Sequence, residues 1–158
     1  MDRITAEARS NKAQLYGYFG NKDRLFDAVL DDRVTRTVEA VPFDADDLAT
    51  WAVLLYDQNL HEPELTRLIA WTRLERRPTG RWFDGLEHDP KLEAIRRAQA
   101  AGVIRPGNPI DIVTLIISMA GAWSAASGVY TASTAEQATI HDDRRSLLRE
   151  SVARMLHP

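Results

Sequence analysis

The stretch "ARSNKAQLYGYFGNKDRLF", residues 8–26, decides which fold the rest of the chain is expected to have. It places two tyrosines, two phenylalanines, two glycines and four basic residues within nineteen positions. Asn11 and Asn21 each stand just before a run of helical character, where an asparagine side chain can accept a bond from a free backbone N–H and cap the helix. The stretch therefore predicts a short helix followed by the beginning of a long helix.

The remainder of the chain also favours helices. Apolar residues recur at three- and four-residue spacings, and no alternating strand pattern competes with them. Pro42 is expected to end the long helix, and Asp44 with Asp47 to open the next one as a carboxylate pair at its positive end. Asp89-Pro90 and Asn108-Pro109 read as two further helix starts, because proline is tolerated in a first turn. We predict an all-α fold.

The most apolar run is Ile110 to Ala126, and it is interpreted as one buried helix. Asp111, Thr114, Ser118 and Ser124 interrupt it, so it falls short of the ~20 apolar residues that a membrane-spanning helix needs. A loop is expected from Ser127 to about Thr139, followed by a last amphipathic helix.

Composition is that of an ordinary globular protein, with 158 residues, 44% hydrophobic and 27% charged. The sequence contains no cysteine, which excludes thiolate metal sites, cysteine nucleophiles and disulfides and fits a cytoplasmic protein. The four histidines are scattered without metal-ligand spacing, and neither a nucleophile–base pair nor a phosphate-binding glycine loop is evident. We expect no metal, no cofactor and no enzymatic activity.

Charge is unevenly distributed along the chain. The first 26 residues carry five basic and three acidic side chains, whereas the whole chain has a net charge of -3. A basic end on an acidic body is expected when only that end meets phosphate.

A short helix over Asp2 to Ala8, a tight turn at Ala8–Asn11 and a second short helix form a helix-turn-helix pattern. In such a motif the second helix enters the DNA major groove. Leu15 is expected to point inward. Lys12 can contact guanine or phosphate, and the Gln14 amide can pair with adenine. The hydroxyls of Tyr16 and Tyr18 can bind phosphate oxygens. Gly17, on the open face, and Lys22, in the first turn of the long helix, complete the candidate DNA contacts.

The segment "ITAEARSNKAQLYGYFGNKDRLFDAVL" resembles the N-terminal signature of the TetR (tetracycline repressor) family of bacterial transcription regulators. The positions that match are Ile4, Ala8, Leu15, Tyr16, Tyr18, Phe19, Lys22, Asp23, Leu25 and Phe26. They cover about 25 residues, and the rest of the chain resembles the family only in its layout. The resemblance implies a dimeric repressor that binds operator DNA and is released by a small molecule held in the C-terminal domain.

Three departures from the family pattern accompany this resemblance. The family has a whole helix ahead of the position of Ile4, Arg9-Ser10 replaces glycine and valine in the turn, and Gly17 replaces a larger side chain. One alternative is therefore a small-molecule-binding dimerisation module that no longer binds DNA. A small all-α enzyme is a third, disfavoured hypothesis. This chain is expected to bind DNA weakly, mostly through phosphate.

We expect residues 1–41 to form the DNA-binding domain with its linking helix, and residues 42–158 to form a regulatory domain. For any single tryptophan the core is the better assignment. Together with polar neighbours, however, the tryptophans provide the apolar walls and few polar groups of a pocket for an apolar or aromatic ligand. The candidate pocket residues are Trp51, Leu55, Gln58, Trp71, Thr72, Met119 and Trp123.

Two helices are expected to form the interface of a homodimer. One carries a strip of small residues and the other an apolar face, which together suit a four-helix contact across a twofold axis. The candidate interface residues are Ser118, Gly121, Ala122, Ala125, Leu148, Val152 and Met155. Such a dimer presents two recognition helices to a near-palindromic operator. In the alternative, the chain is a monomer that packs these faces internally.

Overall fold

The computed structural model describes residues 11–76 and 89–157, except for the side chain of Lys12. The predicted helix over Asp2 to Ala8 lies outside these residues. The described ranges contain no β-strand and form seven helices, which confirms the all-α prediction: α1 (Lys12–Phe19), α2 (Lys22–Ala40), α3 (Leu48–His61), α4 (Glu64–Arg76), α5 (Pro90–Ala100), α6 (Pro109–Ala120) and α7 (Ala138–Leu156). None of these helices is both long and apolar enough to cross a membrane.

The predicted helix starts are confirmed by the bonds that their caps make. Asn11 Oδ1 accepts from the N–H of Gln14 at 2.8 Å, and Asn21 Oδ1 accepts from the N–H of Arg24 at the same distance. Asp89 and Asn108 cap α5 and α6 in the same way, each followed by a first-turn proline. Gly20 closes α1 with a φ of +75°, a conformation that glycine adopts without steric cost.

Two predicted details are wrong. The apolar helix ends at Ala120 instead of continuing to Ala126. Ser124 explains the early end, because its N–H donates to Gly121 O at 3.0 Å and its hydroxyl oxygen accepts from Ala126, and such local bonds compete with a helix. Asp47 alone caps α3, through the N–H of Thr50, whereas Asp44 accepts from the N–H of Asp46.

The chain divides into two compact units, residues 1–38 and 39–158, so the boundary falls in the last turn of α2. In the N-terminal unit, Leu30 is the one described residue that is buried. Leu15, Phe19, Leu25 and Phe26 are each half-buried.

The C-terminal unit is built on α3, which packs against α6 and α7, while α6 also packs against α5 and α7. α3 is central because it buries residues on nearly every side, as its apolar sequence predicts. The backbone N–H of Arg105 donates to Leu156 O at 2.9 Å and ties the α5–α6 connection to the end of α7. The core comprises Val41, Leu48, Trp51, Ala52, Val53, Tyr56, Ile95, Ala98, Ile104, Ile112, Ile116, Ala120, Leu148, Val152 and Leu156.

Candidate functional site

The first candidate site is the exposed side of α1. Leu15 and Phe19 are half-buried, whereas Gln14, Tyr16 and Tyr18 are exposed, with Tyr18 at 84%. An i, i+4 pair lies on one face of a helix, so α1 has an inner side and an outer side as predicted. Lys12 begins the helix, but its side chain lies outside the described part of the chain.

Gly17 lies on the open side of this helix. A Cβ atom added there would meet no described atom within 4 Å, so a larger side chain would find room. Lys22, the first residue of α2, is exposed as well. Apart from Lys12, the predicted DNA contacts are therefore all accessible to solvent.

The second candidate site is a cleft of about 300 Å³ in the C-terminal unit. The end of α3 and the first turns of α4 form one wall, and the connecting segment between α6 and α7 (residues 121–137) forms the other. The lining residues are Asn59, Leu60, Pro63, Arg67, Trp123, Ala125, Thr131, Ala132, Ser133 and Thr134.

Of the seven residues predicted for the ligand pocket, only Trp123 lines this cleft. Trp51 is buried in the core, with its ring edge-to-face against Phe43 at 5.0 Å between centroids. Thr72 is buried, and its hydroxyl donates to Leu68 O of its own helix at 2.8 Å. Leu55 and Met119 pack against the core, Gln58 is half-buried, and Trp71 is 41% exposed.

Backbone bonds hold the connecting segment in place along the cleft. The N–H of Ala132 donates to Trp123 O at 2.9 Å, and the N–H of Ser133 donates to Glu136 Oε2 at the same distance. Ser133 O lies 3.2 Å from His141 Nε2. The backbone polar groups at Ala132 and Ser133 are thus largely satisfied by the protein itself.

A buried pair of polar side chains lies beneath this segment. Tyr56 Oη is 2.6 Å from His141 Nδ1, and both side chains are at most 5% exposed. Because Nε2 faces a carbonyl oxygen, we assign the proton of the neutral ring to Nε2, which leaves Nδ1 to accept from the Tyr56 hydroxyl. The Trp123 ring packs edge-to-face against the Tyr56 ring, with 5.8 Å between centroids. Trp123, which lines the cleft, therefore contacts this buried pair directly.

Glu136 is the second anchor of the connecting segment. Arg144 donates to both of its carboxylate oxygens, at 2.8 and 3.0 Å, and the Tyr130 hydroxyl donates at 2.5 Å. These hydrogen bonds hold the pKa of Glu136 well below its usual range, and those from Arg144 have the largest effect. The Arg144 guanidinium also lies 5.0 Å from the centre of the Tyr130 ring and 5.9 Å from that of Trp123.

Arg145, the next residue of α7, links this helix to α3. It donates to Asp57 through Nε and Nη2 at 2.9 and 2.8 Å, and to Asp142 at 2.8 Å. The hydrogen bond to Asp57 is the main reason why the pKa of Arg145 lies above its ordinary value. Within the described residues, no three His, Asp or Glu side chains are grouped so that they could hold a metal ion.

The predicted dimer-interface residues divide into two groups. Ser118 and Ala122 are exposed, and Gly121, Ala125 and Met155 are half-buried. Leu148 and Val152 are wrong as interface residues, because they are 2% and 0% exposed and pack in the core of their own chain. The exposed apolar residues on α6 and α7, the two helices predicted to form the interface, are Leu115, Ile117, Ile140 and Leu147.

A comparison with known protein families matches a region within the C-terminal unit. Residues 47–154, which are more than half of the chain, match the family described as "Tetracyclin repressor-like, C-terminal domain". The chain belongs to the TetR family. This membership agrees with the predicted fold and with the expectation that the chain is not an enzyme.

Two proteins that are similar to this chain come from Streptomyces coelicolor. The HTH-type transcriptional repressor SCO4008 is 38% identical over 124 residues, which are 76% of this chain and 65% of that protein. The chain thus spans slightly less than two thirds of the length of this relative. The crystal structure of SCO4942, described as a candidate transcriptional regulator, is 31% identical with a TM-score of 0.76. That match covers 98% of this chain and 85% of the other.

Proposed function

We propose that the chain is a cytoplasmic DNA-binding transcriptional regulator of the TetR family, and that it acts as a repressor released by a small molecule. The observation that carries the proposal is the capped helix α1, which exposes Gln14 and Tyr18 on one side while Leu15 and Phe19 are half-buried. A relative named as a transcriptional repressor supports it.

In this proposal, residues 1–41 bind DNA, with α1 in the major groove. The Gln14 amide pairs with adenine, and Lys12 contacts guanine or phosphate. The hydroxyls of Tyr16 and Tyr18 and the ammonium of Lys22 bind phosphate oxygens and fix the register of the helix. Gly17 allows the helix to approach the bases closely, because it carries no side chain.

Residues 42–158 then form the regulatory domain and the homodimer interface. α6 and α7 pack on each other, and both expose apolar side chains, Leu115 and Leu147 at more than 50%. Ser118 and Ala122 are small and exposed, which permits close approach of a second chain. A twofold dimer would place two copies of α1 on a near-palindromic operator.

The ligand site of this proposal is the cleft, with Trp123 in its wall. A ligand releases the operator only if it binds one shape of the dimer more tightly than the other. The connecting segment is the element that a ligand would displace, since it forms one wall of the cleft and leads directly into α7.

The proposal is tested by titrating the chain against the DNA beside its own gene and against a shuffled duplex of equal length. We expect tighter binding to the native DNA and a steep salt dependence on both duplexes. Equal binding to both duplexes, or none, would favour a module that binds small molecules and dimerises without reading DNA.

The dimer is tested separately by light scattering of Ala122→Arg. A charge at this position would be desolvated against its symmetry mate, so we expect a monomer or an aggregate. An Arg substitution at exposed Thr35 of α2, outside the proposed interface, is the control. A well-behaved dimer of Ala122→Arg would remove this surface from the proposal.

A further inference from the structure

We propose that the cleft binds a small organic acid, with its carboxylate on Arg67 and its apolar body against Trp123. This inference rests on the proposed ligand response and adds the chemical class of the ligand. The volume of about 300 Å³ is at the lower end for ligand pockets, which favours a compact molecule with one ring over an extended one.

Arg67 supplies the charge. It is the one charged residue among the described residues that line the cleft, and its side chain is exposed. Its guanidinium makes no ion pair or hydrogen bond with any residue in ranges 11–76 and 89–157. A guanidinium presents a planar set of donors that matches the two oxygens of a carboxylate, so it favours a carboxylate over a neutral group of the same shape.

The other polar groups of the cleft also suit an anion. The side chains of Asn59, Thr131 and Thr134 have no hydrogen-bond partner among the described residues, and each can donate to an oxygen of the ligand. Within the described part of the chain, no carboxylate lines the cleft. The Arg144 guanidinium lies 5.9 Å from the centre of the Trp123 ring, but it is already paired with Glu136, so Arg67 is the cation that a ligand can neutralise.

The apolar part of the ligand is determined by Trp123 and its neighbours. Contact with Tyr56 and Arg144 fixes the orientation of the indole ring, and Leu60, Pro63 and Ala125 add aliphatic surface. A fixed aromatic wall favours a flat body, because offset stacking adds to the gain from burial. An aromatic or cyclic monocarboxylate therefore matches both ends of the cleft.

The test is isothermal calorimetry of the full chain, without DNA, against three acid and amide pairs. The acids are benzoate, phenylacetate and cyclohexanecarboxylate, and each is paired with its primary amide. We expect at least one acid to bind about 10-fold more tightly than its amide, the size of effect that a charge-assisted hydrogen bond gives. Arg67→Gln should abolish this preference, and Arg67→Lys should retain part of it. Arg97→Gln, at an exposed arginine of α5 outside the cleft, should leave it unchanged.

Three results would overturn the proposal: no binding of any acid, equal affinity of every acid and its amide, or an acid preference that survives Arg67→Gln. Because DNA is absent, the outcome is separate from that of the operator titration. A chain that binds an acid through Arg67 but does not bind DNA would keep this site and lose the proposed function. A chain that binds its operator and shows no acid preference would lose only this site.

Discussion

The N-terminal unit, residues 1–38, and the C-terminal unit, residues 39–158, differ in how they use apolar side chains. The described part of the first buries one residue, Leu30, and leaves the outer side of an eight-residue helix open. The second packs α3 against α6 and α7 around one apolar core and buries a tyrosine–histidine pair. Helices shorter than ~12 residues are marginal without packing, so the first unit is suited to contact and the second to holding the fold.

The largest effect that this comparison predicts is in the core of the C-terminal unit. Ile116 is 0% exposed, so Ile116→Ala should lower the free energy of unfolding by about 2–5 kcal/mol through lost burial and a cavity. Val103→Ala is the control, because Val103 is 49% exposed and lies outside α6 and α7, the helices of the proposed interface. Urea unfolding measures both variants, and equal losses would show that α6 is not packed as described.

A smaller effect is expected at the buried polar pair. Tyr56→Phe leaves the buried His141 Nδ1 without its donor, which should cost about 1–3 kcal/mol. Tyr18→Phe removes the same hydroxyl from a side chain that is 84% exposed and should change stability by less than about 0.5 kcal/mol. Urea unfolding that ranked the two variants alike would contradict the assigned bond.

The smallest effect on stability is expected at Gly17 of α1. Gly17→Ala should stabilise the helix by at most about 1 kcal/mol, because the added methyl group meets open space. Gly20→Ala is the control with the opposite sign, since the positive φ of Gly20 strains any other residue. Helix content by circular dichroism during thermal unfolding measures both. A destabilised Gly17→Ala would mean that this side of α1 is covered.

Local features of the fold could be predicted from the sequence, and long-range ones could not. The caps at Asn11, Asn21, Asp89 and Asn108 are confirmed, because a cap depends on residues two or three positions away. The end of α6 was missed, since the bonds of Ser124 to its neighbours outweigh an apolar run that could have continued as helix.

The candidate pocket shows the same limit. A tryptophan in the sequence indicates an apolar surface, but it does not tell whether that surface faces a core or a cleft. The sequence therefore could not distinguish Trp51 from Trp123 as a pocket residue. The cleft depends on bonds that join residues 8 and 85 positions apart, from His141 to Ser133 and to Tyr56. Arg67 was missed because an isolated arginine on a helix gives no signal until the opposite wall is known.

The most direct test of the account is the selection of bound sites from random duplex DNA by the chain and by two variants. We predict that the chain, although phosphate contacts supply most of its weak binding, still prefers a near-palindromic site, and that Gln14→Ala relaxes this preference at one base pair of each half-site, at a cost of about 1–3 kcal/mol. Lys22→Ala should weaken all sites alike and lower the salt dependence by about one phosphate contact. A chain that selects no sequence, or a Gln14→Ala variant that selects the same sequence equally well, would contradict the claim that α1 reads DNA.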